Sequence, residues 1–241
     1  MHTYIRTIIA SALLTLSLWV GADDTIYPTV SPTAVFHTAE GDVVSTDTTA
    51  SAPLSATFMA NTENLGDFKQ HYEWKFYLNS TSTAPYLERY EENTDQTDYT
   101  FNQTGQHYVT FRAIFTTATD TVEYTTDDPF HIVIPASKLE MPNAFSPNGD
   151  HINDIYGAKE GWQSLTEFHA YIFNRHGVKL YEWTDPAGGW DGTYNGRPVK
   201  QGVYFVLVKA KGSDGIEYNI KRDVNLLRGY DEEARGGATT Q

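Results

Sequence analysis

The chain has 241 residues, 40% of them hydrophobic and 14% aromatic, which suffices for one or two packed cores and is too apolar for a disordered chain. It contains no cysteine, which excludes disulfide staples, thiol catalysis, cysteine-ligated zinc and lipid attachment through an N-terminal cysteine. The net charge of −14 is uneven: residues 23–137 hold 17 acidic and 4 basic side chains, whereas residues 138–241 hold 14 and 12. An acidic front half repels phosphate backbones and argues against nucleic acid as a partner.

At the N-terminus, Arg6 precedes a mostly apolar run from Ile8 to Val20 that ends at the small residues Gly21 and Ala22. This reads as a cleaved secretory signal peptide over residues 1–22. The alternative, a membrane anchor, asks for about 20 apolar residues in a row, more than this run has; the mature chain is therefore expected to carry no transmembrane segment. Residues 23–49, with Pro28 and Pro32 and little periodicity, read as an extended lead-in, with ordered structure beginning near Ala52.

From there the pattern is strand-like: "APLSATFMA", "QHYEWKFYL", "TDYTF", "GQHYVTFRAIF" and "PFHIVI" are short aromatic and β-branched runs separated by Asn, Asp, Thr and Gly. In "GQHYVTFRAIF" one face carries Tyr108, Thr110, Arg112 and Ile114 and the other Val109, Phe111, Ala113 and Phe115, the period of a half-buried strand. Trp74, in the middle of an apolar strand, reads as core rather than as a sugar-stacking platform. Residues 50–134 resemble a PKD-type domain of the immunoglobulin-like class, with Trp74 central, although Trp74-Lys75-Phe76 runs on into Tyr77-Leu78 without the family's glycine turn.

"IPASKLEMP" bridges the halves, and residues 135–140 read as a short linker. Beyond it "SLTEFHAYIFN", "VKLYEW", "GVYFVLVKAK" and "GIEYNIKRDVNLLR" alternate with turn-rich connections. Both faces of "GVYFVLVKAK" are apolar, which marks it as the central strand of its sheet. The expected fold is all-β: two immunoglobulin-like antiparallel sandwiches after the signal, over residues 50–134 and 141–229, followed by a polar, mobile tail from residue 230.

The stretch "SPNGDHINDIYG" has several readings. Pro147, Asn148 and Gly149 suit a tight turn, and Asp150, Asn153 and Asp154 offer oxygens to nearby amides, the pattern of an Asx-rich loop. A calcium loop built on Asn148, Asp150, Asn153 and Asp154 is the sharper alternative; it lacks the ligand spacing and terminal Glu of an EF-hand.

A resemblance adds a third reading. "PNAFSPNGDHINDIYG", "FHAYIFNRHGVKLYEW", "GGWDGTYNGRPVKQGVYFVLVKAK" and "IKRDVNLLR" look like successive blocks of the gliding-motility-associated C-terminal domain, also described as the type B sorting domain of the type IX secretion system of Bacteroidetes. The match spans about residues 139–229. The family's motif positions fall on Pro142, Asn143, Phe145, Ser146, Pro147, Asn148, Gly149, Asp150, Asn153 and Asp154, then on Phe173, Asn174, Arg175 and Gly177, and finally on Trp190, Asp191, Gly192, Gly202, Tyr204 and Arg228. The resemblance implies that these residues fix turns and core geometry. It also implies recognition by an outer-membrane translocon after inner-membrane export, with the outer membrane or cell surface as destination. The family commonly has Gly where His151 stands, and its members usually finish near the position of Arg228, whereas this chain continues with "GYDEEARGGATTQ".

Enzyme patterns are not evident: there is no G-x-S-x-G, H-E-x-x-H or Walker glycine loop. His107, His131 and His169 sit in strand-like runs, where a packed or solvent-facing ring is the expected role. The sequence is read as a non-enzymatic accessory or signalling component of type IX secretion, with no cofactor beyond the calcium alternative. The other reading is surface cargo, an adhesion or glycan-binding module that takes a surface polysaccharide or protein ligand.

Overall fold

The computed structural model describes residues 4–7, 26–92 and 94–228. Most of the expected signal segment and the expected tail lie outside the described residues. The chain divides into two compact units, residues 1–135 and 136–241. It is all-β, in several small antiparallel sheets. Among the described residues no helix is long and apolar enough to cross a membrane.

In the front unit, ordered structure starts earlier than the sequence suggested. Strands Thr33–Thr38, Gly41–Val44 and Asp47–Thr49 replace the expected lead-in. Two alternate residues of the first, Ala34 and Phe36, have no exposed surface; a period of two over six residues between prolines and threonines is too short to stand out as a pattern. Thr33–Thr38 pairs with Gly41–Val44 on one side and Leu54–Met59 on the other, and Gln96–Phe101 completes a four-stranded sheet. The second sheet is centred on Gly105–Thr116, which pairs antiparallel with Lys69–Leu78, Asp120–Thr125 and Phe130–Ile134. Tyr4–Thr7 lies parallel to Asp120–Glu123 at its edge.

The inner faces of the two sheets share one core. Phe58 of the four-stranded sheet meets Trp74, Phe76 and Phe130 of the other at ring-centroid distances of 5.5, 5.6 and 5.6 Å. Trp74 is fully buried, and so is the Val109, Ala113 and Phe115 face of the long strand. Burial of each large side chain among them contributes about 1.5–3 kcal/mol, and the tilted and edge-on geometry of the rings adds a smaller increment.

The rear unit is built differently. Its one large sheet runs in the order Ala144–Phe145, Glu217–Leu226, Gly202–Gly212, Leu165–Phe173 and Lys179–Trp183. Gly202–Gly212 is central in pairing, bonded along both edges. Only one of its faces is covered, however: Tyr204, Val206, Val208 and Ala210 are buried, while Val203 and Phe205 are 49% and 42% exposed. Apolar residues on both faces do not reveal which face another layer covers. Opposite the covered face stand two-residue pairings, Tyr156–Gly157 with Gly189–Trp190 and Thr193–Tyr194 with Arg197–Pro198, together with the loops between them.

The expected linker over residues 135–140 also takes a different form. Lys138 and Gln163 exchange backbone hydrogen bonds at 3.1 Å, and Leu139 and Met141 are buried in the rear core. The apolar alternation of Leu139 and Met141 spans only two residues, so the prolines around it dominated the pattern.

Candidate functional site

The motif positions of the rear half come together around three loops. In the first, Asp154 is the organising side chain. Its Oδ1 accepts the backbone N–H groups of Asn148 and Gly149 at 2.9 and 2.8 Å, and its Oδ2 accepts that of His151 at 2.9 Å. The Gly149 amide, with those of His151 and Asn148, holds the Asp154 carboxyl below its ordinary range. Asp150 Oδ1 accepts the Ile152 amide at 2.8 Å, and its Oδ2 accepts the Asn148 side-chain amide at 2.8 Å. Asn148 Oδ1 in turn accepts the Asp150 N–H at 3.1 Å, and the Asn153 carbonyl accepts from Ser146 N at 2.8 Å.

The loop oxygens considered for calcium are therefore directed at the loop's own amides. Asn148, Asp150 and Asp154 act as Asx-turn acceptors that close the loop, and Asn153 serves through its backbone at φ 54°. Among the described residues no group of three or more His, Cys, Asp or Glu side chains could hold a metal. His151 sits at φ 68°, in the left-handed region where Gly is the least strained residue. That geometry accounts for the glycine at this position in the resembling family.

The second loop carries Trp190, Asp191 and Gly192. Trp190 has no exposed surface; its ring lies 5.4 Å from Phe145 and 5.2 Å from Tyr204, and its indole N–H donates to the Thr193 carbonyl at 2.7 Å. Asp191 Oδ1 accepts the N–H and hydroxyl of Thr193 at 2.9 and 2.7 Å, which sets the turn. Gly192 is buried at φ +77°, and a Cβ there would lie 3.0 Å from Pro147 Cγ, 3.1 Å from Arg228 Nη2 and 3.2 Å from Leu226 Cδ1. Only glycine meets both demands.

Arg228 joins the loops. Its guanidinium donates to the carbonyls of Pro147 in the first loop, Gly192 in the second and Val199 in the third, at 3.2, 2.7 and 3.0 Å. One planar fork thus ties the first loop to both ends of the Thr193–Tyr194/Arg197–Pro198 ribbon, where Val199 N also donates to the Gly192 carbonyl at 3.0 Å. Tyr204 completes the third loop by donating its hydroxyl to the Lys200 carbonyl at 2.7 Å, and burial raises its phenol above the ordinary value.

The remaining motif positions lie apart from this cluster. Asn174 Oδ1 accepts the amides of His176 and Val178 at 2.9 and 3.1 Å, and Gly177 at φ +79° closes that hairpin. Phe173 is half-buried on the outer side of the sheet, and Arg175 and Gly202 are exposed. Asn143 acts through its carbonyl, which accepts from the Asn225 amide at 2.9 Å. Pro142 likewise accepts the Tyr156 hydroxyl at 2.9 Å.

Tyr156 is the residue that motif reasoning missed. It is fully buried beside Phe145, with ring centroids 5.7 Å apart, and burial pushes its phenol to about 12. Arg222, which donates to the Met141 carbonyl at 2.7 Å, was missed as well. The signal for Tyr156 is its place directly after an Asx-rich loop; Arg222 gives none, because its partner is a backbone carbonyl distant in sequence.

Residues 139–221 match the family model of the CHU_C Type IX secretion signal domain. The chain carries a type IX secretion signal domain. That domain is a non-catalytic secretion signal, and it marks the chain as a secreted protein of the type IX pathway, as cargo or accessory. It implies interaction with the type IX machinery and a location outside the cytoplasm, at the outer membrane or cell surface. No curated protein matches the chain. Among solved structures, the chicken CNTN1 FN1-FN3 domains align over 78% of this chain and 71% of theirs at 10% identity, with a TM-score of 0.26, too low to bear on fold or function.

Proposed function

We propose that the protein is an accessory or signalling component of type IX secretion whose rear unit is recognised by the outer-membrane translocon, after export directed by a signal peptide over residues 1–22. Removal of that segment takes Tyr4–Thr7 away from the edge of the Asp120–Thr125 strand. In this reading both units are immunoglobulin-like sandwiches, the first PKD-like over residues 50–134. The rear one has its second layer reduced to short ribbons and loops.

The observation that carries the reading is where the front unit spends its rings. Trp74, Phe58, Phe76, Phe101 and Phe111 lie in the core, and Tyr90, the most exposed tyrosine described, stacks on His71 at 5.9 Å. The largest rings of the front unit are thus used for packing, which favours a role within the pathway over display of a sugar-binding module. In the rear unit Phe145, Trp190 and Tyr204 are buried and the polar side chains of the first loop bond to its own backbone, and in this reading recognition falls to the open sheet face with Val203, Phe205 and the half-buried Leu207 and Phe173.

Deleting residues 139–241 tests the reading. An accessory role predicts impaired export of unrelated type IX cargo, whereas unchanged export, with only this protein held in the periplasm, would establish it as cargo. The acidity of residues 23–137 is the feature that favours the second reading, an adhesion module for a surface polysaccharide or protein.

A further inference from the structure

The backbone on each side of residue 135 is hydrogen-bonded within its own unit. Gly105 pairs with Ile134 in the front sheet, and the Thr104 hydroxyl donates to the Pro135 carbonyl at 3.2 Å. One residue later the bonds belong to the rear unit: Gln163 Nε2 donates to the Ala136 carbonyl at 2.9 Å. Ser137 then donates its amide to Asp214 Oδ2 at 2.8 Å and its hydroxyl to Asp214 Oδ1 at 2.8 Å, with the Tyr218 hydroxyl 2.9 Å from Ser137 Oγ. Lys138 is paired with Gln163, Leu139 is 6% exposed, the Glu140 carbonyl accepts from Lys159 N at 2.8 Å, and Met141 is 2% exposed.

Gly212 makes room for the Ser137–Asp214 clasp. A Cβ at Gly212 would collide with Ser137 Oγ and with Asp214 Oδ1. The clasp therefore depends on a glycine at the end of the central strand as well as on its own hydrogen bonds.

A protease must draw several residues on each side of the scissile bond into an extended conformation, so cleavage of an ordered segment requires local opening first. Every residue from 130 to 141 would have to leave a strand, a carbonyl bond or a core site to be cut. We infer that the joint between the units is closed to proteolysis and that the secretion signal domain is retained on the working protein. This rests on the accessory reading above and deepens it: the domain is kept as a working part and is not removed as a used address.

The test uses the full chain. Digestion of the native protein with proteinase K at low ratio, followed by intact-mass analysis, is expected to show no product ending between residues 130 and 146. Such products, with both units still folded, would overturn the inference. Asp214→Ala is expected to speed cleavage between residues 136 and 141 at least tenfold. Ser137→Ala removes the hydroxyl contacts alone, leaves the amide bond to Asp214, and should give an intermediate increase; it also serves if Asp214→Ala does not fold. Unchanged cleavage in the folded variants would show that the clasp is not the protection. In the producing cells, intact-mass analysis of the outer-membrane and surface fractions should find the rear unit attached, and a species ending near Pro135 would overturn retention. These readouts are independent of the export assay, so a closed joint and a cargo role, or an open joint and an accessory role, are distinguishable.

Discussion

The front unit closes its core with two sheets that face each other, so that rings such as Phe58 and Trp74 have neighbours from both layers. The rear unit has one large sheet, and two-residue ribbons with the loops between them supply its second layer. Those loops are held by single side chains: Asp154 folds the first, Trp190 anchors the second and Arg228 ties all three together. A core built by two sheets spreads its stability over many apolar contacts. A core roofed by loops concentrates it in a few polar groups, whose loss leaves carbonyls and amides without partners. Asp154, Trp190 and Arg228 are all positions of the resembling motif, which accounts for that part of the motif lying in or next to the loops.

The strongest way to sharpen this contrast is Trp190→Ala. Loss of the buried ring is expected to cost about 3–5 kcal/mol and to melt the rear unit alone. Calorimetry of the full chain should show the rear transition shifted sharply down and the front transition unmoved; a joint shift would break the two-unit picture.

Two arginines give the next comparison. Arg228→Ala removes three carbonyl partners at once and should destabilise the rear unit by roughly 2 kcal/mol. Arg112 of the front unit donates to Glu73 and Glu123 at 2.8 and 2.6 Å, but it is partly exposed and Lys75 stays 3.5 Å from Glu73. Its replacement by Ala should cost about 1 kcal/mol or less. Equal losses in denaturant titrations would contradict the claim that only the rear unit relies on single polar residues.

The Asp154 carboxylate makes the rear unit acid-sensitive. Its folded value lies below the ordinary 3.8, so the stability it contributes is fully present above pH 3.8 and is lost as pH falls through the folded value. Asp154→Asn should lower rear-unit stability at neutral pH and flatten its dependence on pH below 3.8, leaving the front transition unchanged. A wild-type slope in the variant would sink the assignment.

The smallest effect runs the other way. His151→Gly relieves a left-handed side-chain residue and loosens the unfolded chain, for a net gain of at most about 1 kcal/mol in the rear unit. A loss would mean that the imidazole makes a contact the loop needs.

Much of this was legible before any fold was known. Period-two alternation marked residues 105–115 as a half-buried strand and separated its two faces, and an Asx-rich loop was one of the readings open for residues 146–157. The strand at Thr33–Thr38 escaped because its two core residues, Ala34 and Phe36, are too few to register as a period. The joint at residues 135–140 escaped because proline near each end outweighs the short alternation of Leu139 and Met141.

By itself the sequence determined what short-range chemistry dictates: all-β character, the turns at Asn148-Gly149 and Asn174–Gly177, and the motif blocks that mark a secretion signal domain. Only the tertiary structure decided which face of Gly202–Gly212 is covered, and that Arg228 reaches Pro147, Gly192 and Val199. It also decided that Ser137 is clasped by Asp214. Alternation and turn propensity act within a few residues along the chain, whereas burial of a face and pairing of a guanidinium with a carbonyl depend on which distant segment arrives opposite. No local pattern encodes that arrival.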